Sequence, residues 1–426
     1  MKDFEKIRIK DGVDVIGVRA NRFKTNEIAI SFLVPLSEDR AASNSLLAFL
    51  ISQTTKSCPK LADFNKKLAM LYGASVNAFV SKIGENQCIS LVASCLDDRF
   101  AIDDEKISTE VFDFLCKLIF DVKLDENKDF FKEDIEREKR LLLEKIDSEE
   151  NDKRVFALRR LEEIMFENEP YSINRYGSRE SILKVDSAAL KSSLDYMIKS
   201  AKIQITVVGG ADINGIVETA KEYFDSVERC YVPPVASVFI GEAKEVKTVE
   251  QRMDIQQGKL VLGFRVNEKS DFESNPRMRL FSDIFGGGPY SKLFNNVREK
   301  LSLCYYCSAR YDRRKSSLII QCGCEEENMS KAIEEILNQL DDIKNGNIDK
   351  ELAAGRMAIT DAINGVEDDS LSLLSWYINQ ICDNEILTPG ESANENQRVS
   401  KDEVCNCAKL LSLDTIYKLV SKKEGE

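Results

Sequence analysis

Apolar and polar positions along the first half of the chain follow two different periods. Residues 28–34 form a short apolar run that predicts a buried strand, and residues 41–53 have the apolar spacing of a helix. Residues 74–80 and 87–95 are two further strand-like runs joined by a polar turn, which predicts a hairpin. An amphipathic helix is predicted from residue 107 to 118, because its apolar residues share one face.

The same order of elements returns in the second half of the chain. A strand-like run at 259–266 precedes a helix-like segment at 275–285. A second hairpin is predicted from residues 303–309 and 317–324, and a second amphipathic helix covers 333–340. A repeated order of elements predicts an internal duplication.

The end of each half supports this repeat. A strand at 203–210 leads into a helix at 213–224, and the second half ends with a similar strand at 415–420. Pro233 and Pro234 lie between the halves, where a connection is expected. We therefore predict an α+β protein of two tandem homologous halves, each a mixed sheet with helices on one face. The predicted parts are an N-terminal domain (1–225), a linker (226–250) and a C-terminal domain (251–426).

Composition restricts the chemistry of the protein. The 426 residues are 43% hydrophobic and 31% charged, which is typical of a folded globular chain. The net charge of −13 makes nucleic acid a poor partner, because an acidic surface repels phosphates. The chain contains no histidine. This excludes Ser-His-Asp triads, histidine general bases and histidine-ligated zinc.

The sequence also carries expectations about location and cysteine chemistry. It shows neither a secretory signal nor a membrane span, so we expect a cytoplasmic protein whose twelve cysteines are thiols. Four of them could be written as a thiolate zinc site: Cys304, Cys307, Cys322 and Cys324. In a strand, however, positions 304 and 307 would point to opposite faces, so we expect the four sulfurs not to converge. We therefore expect no metal or other cofactor.

Three short segments resemble a known family. Residues 71–75 (LYGAS) precede a hairpin, residues 134–139 (DIEREK) open a helix, and residues 286–300 read GGGPYSKLFNNVREK. Together they resemble the M16 zinc peptidases, which include insulinase, pitrilysin and the mitochondrial processing peptidase. The resemblance spans the whole chain and implies two α/β-sandwich halves of the M16/LuxS type. Within this family, the chain resembles in particular the bacterial non-peptidase members associated with 5-aminopentanol modification of elongation factor P.

The resemblance also implies that the family's zinc site has been lost. The family motif H-x-x-E-H aligns with residues 49–53, so Phe49 and Gln53 stand at the histidine positions and Ser52 at the glutamate. A later glutamate ligand aligns with Lys145, or with Glu144 if the alignment shifts by one residue. A phenyl ring cannot bind zinc and an ammonium group repels it. We therefore expect no peptidase activity from this chain alone.

A second family element is retained. Active relatives use an Arg and a Tyr seven residues later to bind the substrate backbone and the developing oxyanion, and Arg298 and Tyr305 have this spacing. Alternatively, Arg298 pairs with a helix carboxylate and Tyr305 occupies a strand position.

These features predict a catalytically inactive M16-type protein. It would act as a non-catalytic subunit beside an H-x-x-E-H-bearing M16 partner, with Arg298 and Tyr305 working in trans, or it would form a homodimer. The expected substrate is a peptide or an unfolded polypeptide. The alternative is a peptide-binding or scaffold protein without peptidase activity, linked to elongation factor P modification. A third interpretation, a thiol-based enzyme, lacks a histidine to activate the thiol.

Overall fold

The computed structural model describes residues 4–422, which divide into two compact units. The first unit contains the described residues up to Ile146, together with Ile173–Ala236 and Val366–Thr388. The second unit contains Asp147–Ser172, Ser237–Gly365 and the described residues from Pro389. Each unit therefore includes a segment that the sequence prediction placed in the other half. The predicted linker also ends earlier than expected, because a strand begins at Lys247.

Two mixed sheets and fourteen α-helices account for most of residues 4–422. The strands are β1 (Phe4–Lys10), β2 (Val13–Arg19), β3 (Thr25–Pro35), β4 (Ser75–Ile83), β5 (Asn86–Leu96), β6 (Lys202–Gly209), β7 (Lys247–Met253), β8 (Lys259–Val266), β9 (Tyr306–Asp312), β10 (Ser317–Gly323) and β11 (Leu411–Ser421). The helices are α1 (Glu38–Ile51), α2 (Leu61–Met70), α3 (Ile107–Phe120), α4 (Lys132–Asn151), α5 (Lys153–Met165), α6 (Arg179–Lys184), α7 (Ser187–Ser200), α8 (Ile213–Asp225), α9 (Ser274–Gly286), α10 (Met329–Lys344), α11 (Asp349–Gly365), α12 (Ser370–Ile378), α13 (Pro389–Arg398) and α14 (Lys401–Lys409). A π-helical segment covers Leu293–Lys300.

The first unit is built on a six-stranded sheet with the order β1-β2-β6-β3-β5-β4. Strands β2 and β6 are parallel and the other pairs are antiparallel. The central strand β3 is buried along most of its length, because the sheet is covered on both faces. Helices α1, α3, α7 and α8 contribute to the main core with Ile28, Ile30 and Phe32, and α12 covers the opposite face through Leu373, Leu374 and Tyr377.

The second unit repeats this plan with five strands in the order β7-β11-β8-β10-β9. Its one parallel pair, β7 with β11, occupies the place that β2 and β6 take in the first sheet. Helix α5 packs on one face through Leu161 and Met165. Gly263 of β8 permits this approach, since an added Cβ would lie 2.5 Å from the Met165 sulfur. The predicted α+β repeat is thus confirmed, with the addition of one helix on the second face of each sheet.

Both of these helices begin at an aspartate cap. The Asp152 carboxylate accepts hydrogen bonds from the backbone N–H groups of Arg154 and Val155 at the start of α5, and Asp369 accepts one from Ser372 at the start of α12. Such caps satisfy backbone donors that a helix leaves free at its N-terminus. In residues 4–422, no helix combines the length and apolarity needed to cross a membrane.

Candidate functional site

The segment aligned with the zinc motif lies at the end of α1. The helix ends at Ile51, so Phe49 is inside its last turn whereas Ser52 is the cap residue and Gln53 follows it. The Ser52 hydroxyl donates to the Phe49 carbonyl at 2.9 Å, and the Gln53 amide donates to the same oxygen at 3.3 Å. These two side chains therefore satisfy a backbone carbonyl at the C-terminal end of α1.

Lys145 of α4 lies against the same segment. Its ammonium group is 4.8 Å from the centroid of the Phe49 ring and 5.4 Å from that of Tyr176. An ammonium group over an aromatic face is attracted by the ring quadrupole. Glu144 is instead exposed and forms an ion pair with Arg140 at 3.8 Å. The structure thus brings Lys145, and not Glu144, to the position beside Phe49.

Glu138 is a buried neighbour of this group that the sequence reasoning missed. Its carboxylate accepts a hydrogen bond from the Gln53 amide at 3.1 Å and forms an ion pair with Arg137, also at 3.1 Å. Burial raises the pKa of Glu138, and these two partners oppose the rise. The sequence feature that points to Glu138 is its position seven residues before Lys145, because positions two turns apart share one face of a helix.

These residues do not fit a zinc ion. Phe49 offers no donor atom, and the Lys145 ammonium group would place a positive charge where a ligand is needed. The carboxylate of Glu138 is already engaged by Gln53 and Arg137. The arrangement can hold the end of α1 against the middle of α4, and it lacks the open coordination position that activates water in a zinc peptidase.

Arg298 and Tyr305 both lie in the second unit, and both are accessible. Arg298 lies in the last turn of the π-helical segment, with its guanidinium 4.5 Å from the Phe294 ring centroid and 3.5 Å from the Glu299 carboxylate. Tyr305 precedes β9 and is 60% exposed, and its hydroxyl donates to Glu325 at 3.2 Å. This hydrogen bond raises the pKa of the Tyr305 phenol, which therefore keeps its proton. Each residue has a partner of its own, and Tyr305 lies outside the strand.

The cysteines correct one expectation from the sequence. The Sγ atoms of Cys304, Cys307 and Cys322 all lie within 4.8 Å of one another. The expectation that the sulfurs do not converge was wrong for these three, because β9 begins at Tyr306 and the alternation of a strand does not extend back to Cys304, whereas Cys324 is not part of the group. Hydrogen bonds from Cys307 and Cys322 lower the pKa of Cys304, and the charge of Arg298 acts in the same direction.

Comparison with known proteins shows which proteins the chain is similar to. A family profile described as "Peptidase M16 inactive domain" matches residues 184–356. "Probable inactive metalloprotease YmfF" of Bacillus subtilis (strain 168) is 28% identical over 402 residues, which cover 94% of both chains. The chain is thus similar to inactive M16-type peptidases, through the family profile over residues 184–356 and through YmfF over most of its length. An uncharacterized zinc protease of Rickettsia felis is 24% identical over 184 residues, or 42% of this chain and 43% of that relative.

Solved structures share the fold of this chain. A conserved protein from Enterococcus faecalis V583 superposes with a TM-score of 0.91 at 24% identity, with 100% of both chains covered. A protease from Helicobacter pylori superposes with a TM-score of 0.79 at 14% identity, covering 98% of this chain and 99% of that one. At these identities the likeness concerns the fold alone.

Proposed function

We propose that this M16-like homologue is a non-catalytic subunit that contributes Arg298 and Tyr305 to the active site of an H-x-x-E-H-bearing partner. The observation that carries this proposal is the contact between Lys145 and Phe49 at the aligned motif. Since a cation and a phenyl ring stand where zinc ligands are required, catalysis of peptide hydrolysis would depend on a metal held by another chain.

The accessibility of Arg298 and Tyr305 supports a role in trans. The Arg298 side chain is 40% exposed and Tyr305 is 60% exposed, so neither side chain is buried in the hydrophobic core. A guanidinium and a protonated phenol are donors suited to an oxyanion that forms only in the transition state of peptide hydrolysis. The proposed substrate is a peptide or an unfolded polypeptide, because recognition through backbone groups does not depend on one side chain.

The experiment is peptide cleavage by the chain reconstituted with a co-purified H-x-x-E-H partner. Tyr305→Phe deletes one hydroxyl and keeps the ring, and we expect turnover to fall roughly 10²- to 10³-fold. Tyr72→Phe is the matched control, since Tyr72 also donates to a glutamate, Glu105, and should leave turnover unchanged. Arg298→Lys keeps the charge and loses the planar fork, so an intermediate loss is expected.

Thermal melting of each isolated variant separates function from folding. Unchanged cleavage by Tyr305→Phe, or a melting temperature lowered by several degrees, would refute the proposed role in trans. The protein would then be better described as a peptide-binding or scaffold protein, and its link to elongation factor P modification could be tested by co-purification with that factor.

A further inference from the structure

Three thiols from separate parts of one hairpin region meet inside the second unit. Cys322 lies on β10 directly opposite Cys307 on β9, in a register pair of the antiparallel ladder. Cys304 approaches from the segment before β9. The exposed fractions are 8% for Cys304, 6% for Cys307 and 0% for Cys322. The group is therefore held by a fixed ladder and still has a slightly accessible edge.

Within residues 4–422, this is the only group of three or more Cys, Asp or Glu side chains whose ligand atoms are close enough to hold an ion. Thiolates bind Zn²⁺ at about 2.3 Å, which places the sulfurs of a tetrahedral site about 3.8 Å apart. Sulfurs that lie within 4.8 Å of one another need to move only about 1 Å or less to reach this geometry. The spacing thus suits a thiophilic ion without rearrangement of the hairpin.

We propose that Cys304, Cys307 and Cys322 bind one Zn²⁺ ion through three thiolates. Binding converts three thiols and one dication into a complex with a net charge of −1 and releases three protons to solvent. Arg298 is near enough to act electrostatically on Cys304, so its positive charge opposes the remaining negative charge. The site belongs to the second unit, whereas the aligned motif belongs to the first, and the only residue that it shares with the proposed role beside a partner is Arg298.

The test is a zinc titration of the isolated chain, kept reduced and first stripped with a chelator. We expect one equivalent of Zn²⁺ to bind, and Co²⁺ in its place to give a sulfur-to-cobalt charge-transfer band. Cys304→Ser should weaken Zn²⁺ binding by more than about 100-fold, because loss of a ligand costs more than loss of an outer hydrogen-bond partner. Cys304 lies outside the strands, so this variant is the one expected to keep its fold.

Cys405→Ser is the matched control, because Cys405 is 7% exposed and belongs to α14 rather than to the thiol group. It should bind Zn²⁺ as the wild type does. Cys307→Ser provides a second ligand variant, and the circular dichroism spectrum of each variant reports whether it is folded.

Three results would overturn the proposal. One is wild-type chain that binds no stoichiometric Zn²⁺, and another is a folded Cys304→Ser variant that binds it as tightly as wild type. The third is binding that survives loss of Cys304 and Cys307 and disappears with Cys324→Ser, since Cys324 is a buried neighbour of Cys322 outside the assigned set. Because the titration needs no partner chain, failure of this site would leave the proposed function untouched.

Discussion

Lys315 is a fully buried ammonium group in the second unit, and we predict that its removal is strongly destabilising. Its side chain is 0% exposed, and its nitrogen lies 2.5 Å from the Glu169 carboxylate and 2.9 Å from the Val238 carbonyl. Arg265 pairs with the same glutamate at 2.8 Å and with Asp414 at 2.9 Å. Two cations therefore balance two carboxylates away from water.

Lys315→Met keeps the apolar stem and removes one positive charge. Arg265 would then serve two buried carboxylates, so one negative charge would remain uncompensated. Removing one partner of a buried ion pair costs about 3–5 kcal/mol of unfolding free energy. Since 1 kcal/mol shifts the melting temperature of a domain of 150–250 residues by about 2–4 °C, we expect a fall of about 6–20 °C.

Thermal and urea unfolding of wild type and variants measure this effect. Lys184→Met is the control, because Lys184 pairs with Glu180 on an exposed helix face and should change stability by no more than about 1 kcal/mol. Adding Glu169→Gln to Lys315→Met restores the charge balance, so the double variant should melt above the single one. A Lys315→Met protein that unfolds within about 1 kcal/mol of wild type, or a double variant with fully additive losses, would refute this reasoning.

Three other predictions concern the first unit and the connection. In a Cys304→Ser background, four substitutions place zinc ligands at the aligned motif: Phe49→His, Ser52→Glu, Gln53→His and Lys145→Glu. This variant should bind zinc, because Lys145 already lies beside Phe49, and a folded variant that gains no zinc would contradict the alignment. Burial raises the pKa of Glu27, so this group contributes its full stabilisation below its ordinary pKa and loses it as the pH rises through the raised pKa. In chemical unfolding, the stability of wild type relative to Glu27→Gln should therefore fall with increasing pH, and a stability difference that does not change with pH would contradict this. Limited proteolysis followed by mass spectrometry should cut first between residues 226 and 246, which lack helix and strand, and dominant cleavage within hairpin residues 74–95 would contradict the assignment of that segment.

The sequence by itself determined the local elements and their repetition. Strands β3, β5, β8 and β10 and helices α3 and α10 coincide closely with apolar runs or amphipathic periods, because alternation and helical spacing are written in neighbouring residues. That Phe49 and Lys145 cannot ligate zinc also followed from residue identity, since a phenyl ring has no donor atom in any fold and an ammonium group repels the ion.

Only the tertiary structure decided which distant segments come together. Residues 147–172 group with the second sheet through α5 and Glu169, and residues 366–388 group with the first through α12, although each segment lies within the other half of the sequence. The helix patterns show that these segments have an apolar face, and they do not say which sheet buries it.

The thiol group shows the same limit at the scale of one residue. Strand alternation predicts that Cys304 and Cys307 point to opposite faces of one strand, but the strand begins between them at Tyr306. A boundary set by hydrogen bonds to β10 therefore decided whether three sulfurs meet. Periodicity is a local property, whereas the ends of strands and the partners of buried charges are fixed by contacts between residues far apart in the chain.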